Sequence, residues 1–194
     1  MKISEVETHG EHHEQGAYIK GFMVGDGCVN IHGYKPMLYL YAPKFCCETR
    51  LINSACELTT SKPQRSDAYI EPKFGEGISR KIMQGLTVRP QLIPWSSIHK
   101  EVLPSEIYTW NKESKLEFIA GVMDADGTAS DTKNGFMYQI TSIHQEWLLG
   151  FQTLLKTIGV RSKLALSRTA GITDFKNRGG EYQTQDCWRL TISQ

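Results

Sequence analysis

The chain has 194 residues, with 22 basic against 21 acidic side chains and a net charge of +1. That length allows one substantial core or two small fused ones without disulfide support, while near-neutrality excludes a generically polybasic nucleic-acid binder, which needs clustered Lys and Arg to neutralise phosphates. Five cysteines, odd in number and without a C-x-x-C pair, indicate neither a disulfide framework nor a zinc site, and apolar runs such as Met37 to Ala42 are too short to span a bilayer; the expectation is an intracellular protein in a reducing compartment, not secreted.

Residues 1–16 form an acidic segment in which His9, His12 and His13 are interleaved with Glu7, Glu11 and Glu14. No metal-ligand spacing is completed by these histidines, so they read as a solvated polar stretch. Ile19 to Gly27 then reads as a short apolar helix ending in Asp-Gly, and Ile119 to Gly127 repeats it at an offset of 100. Strand-like stretches follow the first copy at Cys28 to Gly33 and Met37 to Tyr41, and the second at Phe136 to Ile143. Next in each half comes a helix, roughly Cys46 to Leu58 and then the stretch marked by Trp147, Leu148, Phe151, Leu154, Leu155 and Ile158 at helical spacing, with Gly159 as its stop. Two further strands per half end near Arg89 and near Ser193, with Leu86 to Val88 echoed by Leu190 to Ile192. Prolines 90, 94 and 104 punctuate the connection, and an amphipathic segment runs through Ile107 to Trp110.

The charge is unevenly placed. Six basic residues stand against three acidic ones both from Lys62 to Arg89 and from Arg161 to Gln194, so a positive face is compatible with a nearly neutral chain.

Gly21 and Gly25, like Gly121 and Ala125, lie four residues apart, so each motif helix carries a strip without bulky side chains and the two can pack closely. Each ends in Asp-Gly, with the glycine suited to a left-handed C-terminal cap. If the helices pack side by side, Asp26 and Asp126 meet at the same end, where mutual repulsion calls for a cation. Hard oxygen ligands suit Mg²⁺ or Mn²⁺, as metal-assisted phosphodiester hydrolysis requires. Asp124 lies about 200° around the helix from Asp126 and reads as peripheral.

Ile119 to Gly127 resembles the LAGLIDADG motif almost letter for letter, and Ile19 to Gly27 resembles a more diverged copy. The resemblance covers nearly the whole chain and implies a single-chain homing endonuclease of mixed α/β (α+β) class: two pseudo-symmetric αββαββ(α) repeats, 17–112 and 113–194, of which the second either lacks its last helix or belongs to a piece of a larger protein. It places the motif helices at a central seam and makes two curved antiparallel sheets a saddle for double-stranded DNA in the major groove, in a pseudo-twofold monomer. It implies that Asp26 and Asp126 hold divalent ions with the carbonyls of Gly25 and Ala125, that both strands are cut to short 3′ overhangs, and that Arg89 stabilises transition-state charge. Ser193 stands at the corresponding place in the second half, so the two strands are expected to be cut at different rates. Lys44 and His144, at the ends of the second strands and also at an offset of 100, are weaker candidates for the same pocket, with surface roles preferred for both. Family members also occur within inteins and introns; Met1 is no splicing nucleophile and the last residues lack His-Asn, so self-splicing is not expected. The alternative is a non-cleaving RNA maturase or DNA-binding regulator.

Overall fold

The computed structural model describes residues 10–30, 35–58, 64–70, 81–88, 90–132, 135–175 and 180–193. These residues form a mixed α/β structure with antiparallel sheets, and they fall into two compact units. One unit contains the described residues within 11–100 and 110–126; the other contains Gly10 and the described residues within 101–109 and 127–193. Among the described residues no helix is long and apolar enough to cross a membrane.

The first unit holds both motif helices, α1 (Ala17–Asp26) and α3 (Lys112–Asp126), packed along one another. Their contact needs glycine for space. A Cβ on Gly21 would be driven into the carbonyl of Phe118, and one on Gly121 into the carbonyl of Tyr18. Residues 17–24 of α1 are buried on every side, which is why this helix shows no amphipathic stripe. Its neighbours are α2 (Glu48–Leu58) and a sheet of β1 (Gly27–Asn30), β2 (Lys35–Tyr41), β3 (Gln64–Ile70) and β4 (Lys81–Thr87) in the order β1-β2-β4-β3. Trp95, Trp110 and Phe118 close the core as a triangle of rings with centroids 5.7 to 5.8 Å apart. The buried ammonium of Lys20 stands over both tryptophans, at 5.4 and 5.7 Å, and is ion-paired to Glu14.

The second unit repeats the plan with β5 (Thr128–Thr132), β6 (Gly135–Ser142), α4 (Gln145–Thr157), β7 (Ser162–Arg168) and β10 (Cys187–Ser193). Its sheet runs β5-β6-β10-β7, so in both sheets the first, second, last and third strands lie side by side. The echo between Leu86 and Leu190 is explained by register: Leu86 sits opposite Leu38 on a central strand, and Leu190 opposite Ile140. Leu190 and Ile140 are buried on the side where α4 packs through Trp147, Leu148, Phe151, Leu154 and Leu155. Gly159 stops α4 as expected, at φ +78, with Val160 N–H donating to the Leu155 carbonyl.

Three expectations are corrected. The motif glycines are not left-handed caps: Gly27 is extended at φ −78 and leads straight into β1, and among the described glycines only Gly16, Gly135 and Gly159 have positive φ. What Gly27 supplies is room, since a Cβ there would collide with Met23. The second half has four strands after α4, not two, because β8 (Gly171–Phe175) and β9 (Gly180–Thr184) form a separate hairpin between β7 and β10. Finally, α2 begins at Glu48, and Cys46 and Cys47 belong to a preceding 3₁₀ turn over Ala42–Cys47.

Candidate active site

The close packing of α1 on α3 brings Asp26 and Asp126, the last residues of the two helices, to one place. A Cβ on Gly25 would lie 2.5 Å from the Ala125 Cβ and 3.0 Å from the Asp126 Cγ, so Gly25 is backed directly against the second motif. Both carboxylates sit at helix C-termini, where the macrodipole is already negative. Burial pushes the Asp26 carboxyl above its ordinary value and the Asp126 charge pushes the same way, against the nearby Lys44 and Lys100.

Two lysines offset this charge. Lys44, in the 3₁₀ turn after β2, donates from Nζ to Asp26 Oδ2 and, at 2.5 Å, to the carbonyl oxygen of Ala125. Lys100, buried after a 3₁₀ turn over Ser97–His99, donates from Nζ to Asp126 Oδ2 at 2.5 Å. Ser97 Oγ ties that turn to the start of β1 by donating to the Gly27 carbonyl at 2.6 Å.

Of the residues expected from the sequence, Asp26, Asp126, Gly25 and Ala125 are thus brought together. Arg89 lies outside the described residues. Ser193 ends β10, and His144 lies half-buried at the start of α4. For Lys44 the preferred surface role is corrected in favour of the pocket, the weaker of its two readings, since its ammonium touches Asp26 of α1 and the Ala125 carbonyl of α3. Lys100 escaped sequence reading altogether: it sits in an irregular, proline-punctuated connection without periodicity, 26 residues from the carboxylate it meets.

Asp124 is peripheral, as expected, but engaged. It accepts a 2.7 Å hydrogen bond from the Tyr18 hydroxyl, whose ring carries the Arg50 guanidinium at 4.0 Å. Arg50 in turn binds Glu117 at 2.9 Å, so α1, α2 and α3 are laced together along one side. Burial, then the bond to Asp124, pushes the Tyr18 hydroxyl well above its ordinary range.

The donor set fits a divalent cation. Two carboxylates and a main-chain carbonyl are hard oxygen donors, and the Lys44 ammonium shows that a positive group is accommodated between the Asp26 carboxylate and the Ala125 carbonyl. Mg²⁺ commonly binds through one or two carboxylates with water and phosphate completing its shell. Among the described residues no group of three or more His, Cys, Asp or Glu side chains converges.

Residues 113–186 match the model of the LAGLIDADG-like domain. The chain therefore carries a LAGLIDADG-like domain over its second motif and the strands and helix that follow it. Solved structures with this fold include the homing endonuclease I-DmoI in complex with DNA and Mn (14% identity, 92% of this chain and 88% of that one, TM-score 0.50). I-WcaI bound to its DNA recognition sequence (13%, 92% and 74%, TM-score 0.51) and the N-terminal LAGLIDADG domain of DUF199/WhiA (15%, 93% and 76%, TM-score 0.51) share it as well. Among curated proteins, the chain is 29% identical over 189 residues to the ribonucleoside-diphosphate reductase large subunit of Invertebrate iridescent virus 6, and 26% identical over 166 residues to the NrdEB subunit alpha of Bacillus subtilis. These alignments cover 95% and 79% of the chain but only 17% and 15% of the reductases, so it spans about a sixth of their length. The matched span includes the second motif, in α3, and α1 lies outside it.

Proposed function

We propose that this chain is a LAGLIDADG-type site-specific endonuclease that cuts double-stranded DNA by divalent-metal-assisted phosphodiester hydrolysis. The observation that carries the reading is the meeting of Asp26 and Asp126 at the ends of two helices packed through glycine, with a cation seat between Asp26 and the Ala125 carbonyl. Asp26, Asp126 and the Ala125 and Gly25 carbonyls would hold Mg²⁺ or Mn²⁺. The metal supplies activation of water and neutralisation of charge at the cleaved phosphate. Lys100, fixed on Asp126, would add positive charge beside that phosphate, the role expected of Arg89. The metals seen in structures of I-DmoI, which include Mn and Ca, support the cofactor class.

The second sheet supplies a face suited to reading DNA. Opposite the buried Leu190 and Ile140 and the half-buried Leu164 lies a row in cross-strand register, Lys163, Thr191, Gln139 and Thr128, followed by Ala165, Arg189 and Thr141. Lys163, Arg189, Thr141 and Thr128 are exposed. Arg and Gln of this kind pair bidentately with guanine and adenine in the major groove, while Lys neutralises phosphate.

The alignment of nearly this entire chain, with its LAGLIDADG-like domain, to a sixth of a reductase supports a mobile-element origin, in which such a segment is carried within a longer host polypeptide.

Incubation of the chain with a randomised-target DNA library and Mg²⁺, beside Asp26→Asn and Asp126→Asn, tests the proposal. Specific double-strand cuts lost in both variants are expected. Sequence-specific binding without cleavage by the unsubstituted chain would replace it with the maturase or regulator reading.

A further inference from the structure

We infer that Lys44 is a built-in counter-ion occupying the metal seat, and that a divalent cation binds there only by displacing its ammonium group. The inference rests on the endonuclease reading and adds to it a competition between the chain's own cation and its cofactor.

The geometry separates the two lysines. Lys44 Nζ touches two oxygens from different helices, Asp26 Oδ2 and the Ala125 carbonyl, which is where a bridging cation would sit. Lys100 Nζ contacts Asp126 Oδ2. The Lys44 side chain is 26% exposed and projects from a turn, so it has a route into solvent; the Lys100 side chain is 8% exposed and is held in place by its surroundings. With both ammonium groups in place, the two aspartates are balanced charge for charge. A divalent ion entering without the departure of Lys44 would meet a like charge at contact distance, in a partly dehydrated site where such repulsion is weakly screened. Outward rotation of one long, flexible side chain relieves it, and the two oxygens that held the ammonium become free to bind the ion. Without metal, Lys44 keeps the helix ends from repelling one another.

The test is calorimetric titration of the DNA-free protein with Ca²⁺ and with Mn²⁺, comparing the unsubstituted chain with Lys44→Met, Lys44→Gln and Asp26→Asn. Lys44→Gln retains a hydrogen-bond donor, so it reports on the site if Lys44→Met fails to fold. The expected result is binding at least tenfold tighter in the Lys44 variants and lost in Asp26→Asn. Lower metal-free melting temperatures, recovered at saturating Ca²⁺, are expected alongside. Equal affinities in the unsubstituted chain and the Lys44 variants would overturn the inference and leave the endonuclease reading standing. An absence of Ca²⁺ and Mn²⁺ binding in every protein, together with an absence of cleavage, would overturn both.

Discussion

The carbonyl oxygen of Tyr18 occupies the space that a side chain on Gly121 would need, and the carbonyl of Phe118 does the same to Gly21. Helix α1 therefore meets α3 backbone to backbone. Because the obstructing atoms are main chain, neither side can yield by a change of rotamer. Gly121→Ala is expected to destabilise the protein by roughly 3 kcal/mol, the upper end of ordinary overpacking, and Gly21→Ala by a similar amount. Denaturant unfolding reads both, and a loss below about 0.5 kcal/mol would contradict the backbone contact.

Gly25 tests position more than stability. Its added Cβ would meet the Ala125 Cβ at 2.5 Å and the Asp126 Cγ at 3.0 Å. Gly25→Ala should therefore push Asp126 from its place and weaken Ca²⁺ binding about tenfold or more, as misplacement of a site group does, with a stability loss near 1 kcal/mol. The companion Gly25→Ala/Ala125→Gly removes the first clash and should recover part of the affinity. Unchanged Ca²⁺ affinity in Gly25→Ala would show that Asp126 is not held by this contact.

Function and stability are expected to oppose one another at Asp26. Its folded pKa is raised, chiefly by burial, so the ionised form destabilises the fold. The cost is absent below the unfolded pKa and fully present once the pH exceeds the raised folded value. Asp26→Asn should accordingly be more stable than the unsubstituted chain at pH 7 and lose that advantage near pH 3, while losing cleavage at every pH. Cleavage by the unsubstituted chain should fail on the acid side at a pH above the ordinary aspartate value of 3.8. Stability curves of the two proteins that run parallel from pH 3 to 7 would refute the assignment.

Glu14 behaves in the opposite sense. Burial alone would raise its pKa, but hydrogen bonds and charge from Lys20 and His12 outweigh it and the net shift is downward. Its contribution to stability is present above the ordinary value of 4.5 and is lost as the pH falls through the lowered folded value. Glu14→Gln should cost about 1 kcal/mol at neutral pH and nothing near pH 2. A stability gap between the two proteins that is independent of pH would disprove this.

The motif helices were legible because their signal is local: small residues four apart and an Asp-Gly end, written twice. Helix α4 was legible through one apolar face and Gly159. Strand β5 was not, since Thr128 to Thr132 offers Ala129 as its lone apolar residue and no alternation can form. The β8–β9 hairpin was not legible because its strands hold only Ile172, Phe175 and Tyr182 as apolar or aromatic residues and show no apolar alternation. Lys44 was marked only by its offset of 100 from His144, and Lys100 gave no sign, because their meaning lies in partners 18 and 26 residues away, joined by helix packing and not by sequence pattern. Glu14 was read as part of a solvated segment, yet it answers a lysine buried under two tryptophans.

The placement of the aromatic residues gives each half of the molecule its own optical signal. Trp95 and Trp110 lie in one compact unit, Trp147 and Trp188 in the other, and together they are all four tryptophans of the chain. Replacement of either pair by phenylalanine leaves fluorescence that reports on a single unit. Coincident emission changes in the two doubly substituted proteins would mean that the units melt as one cooperative body, and separated midpoints that each melts by itself.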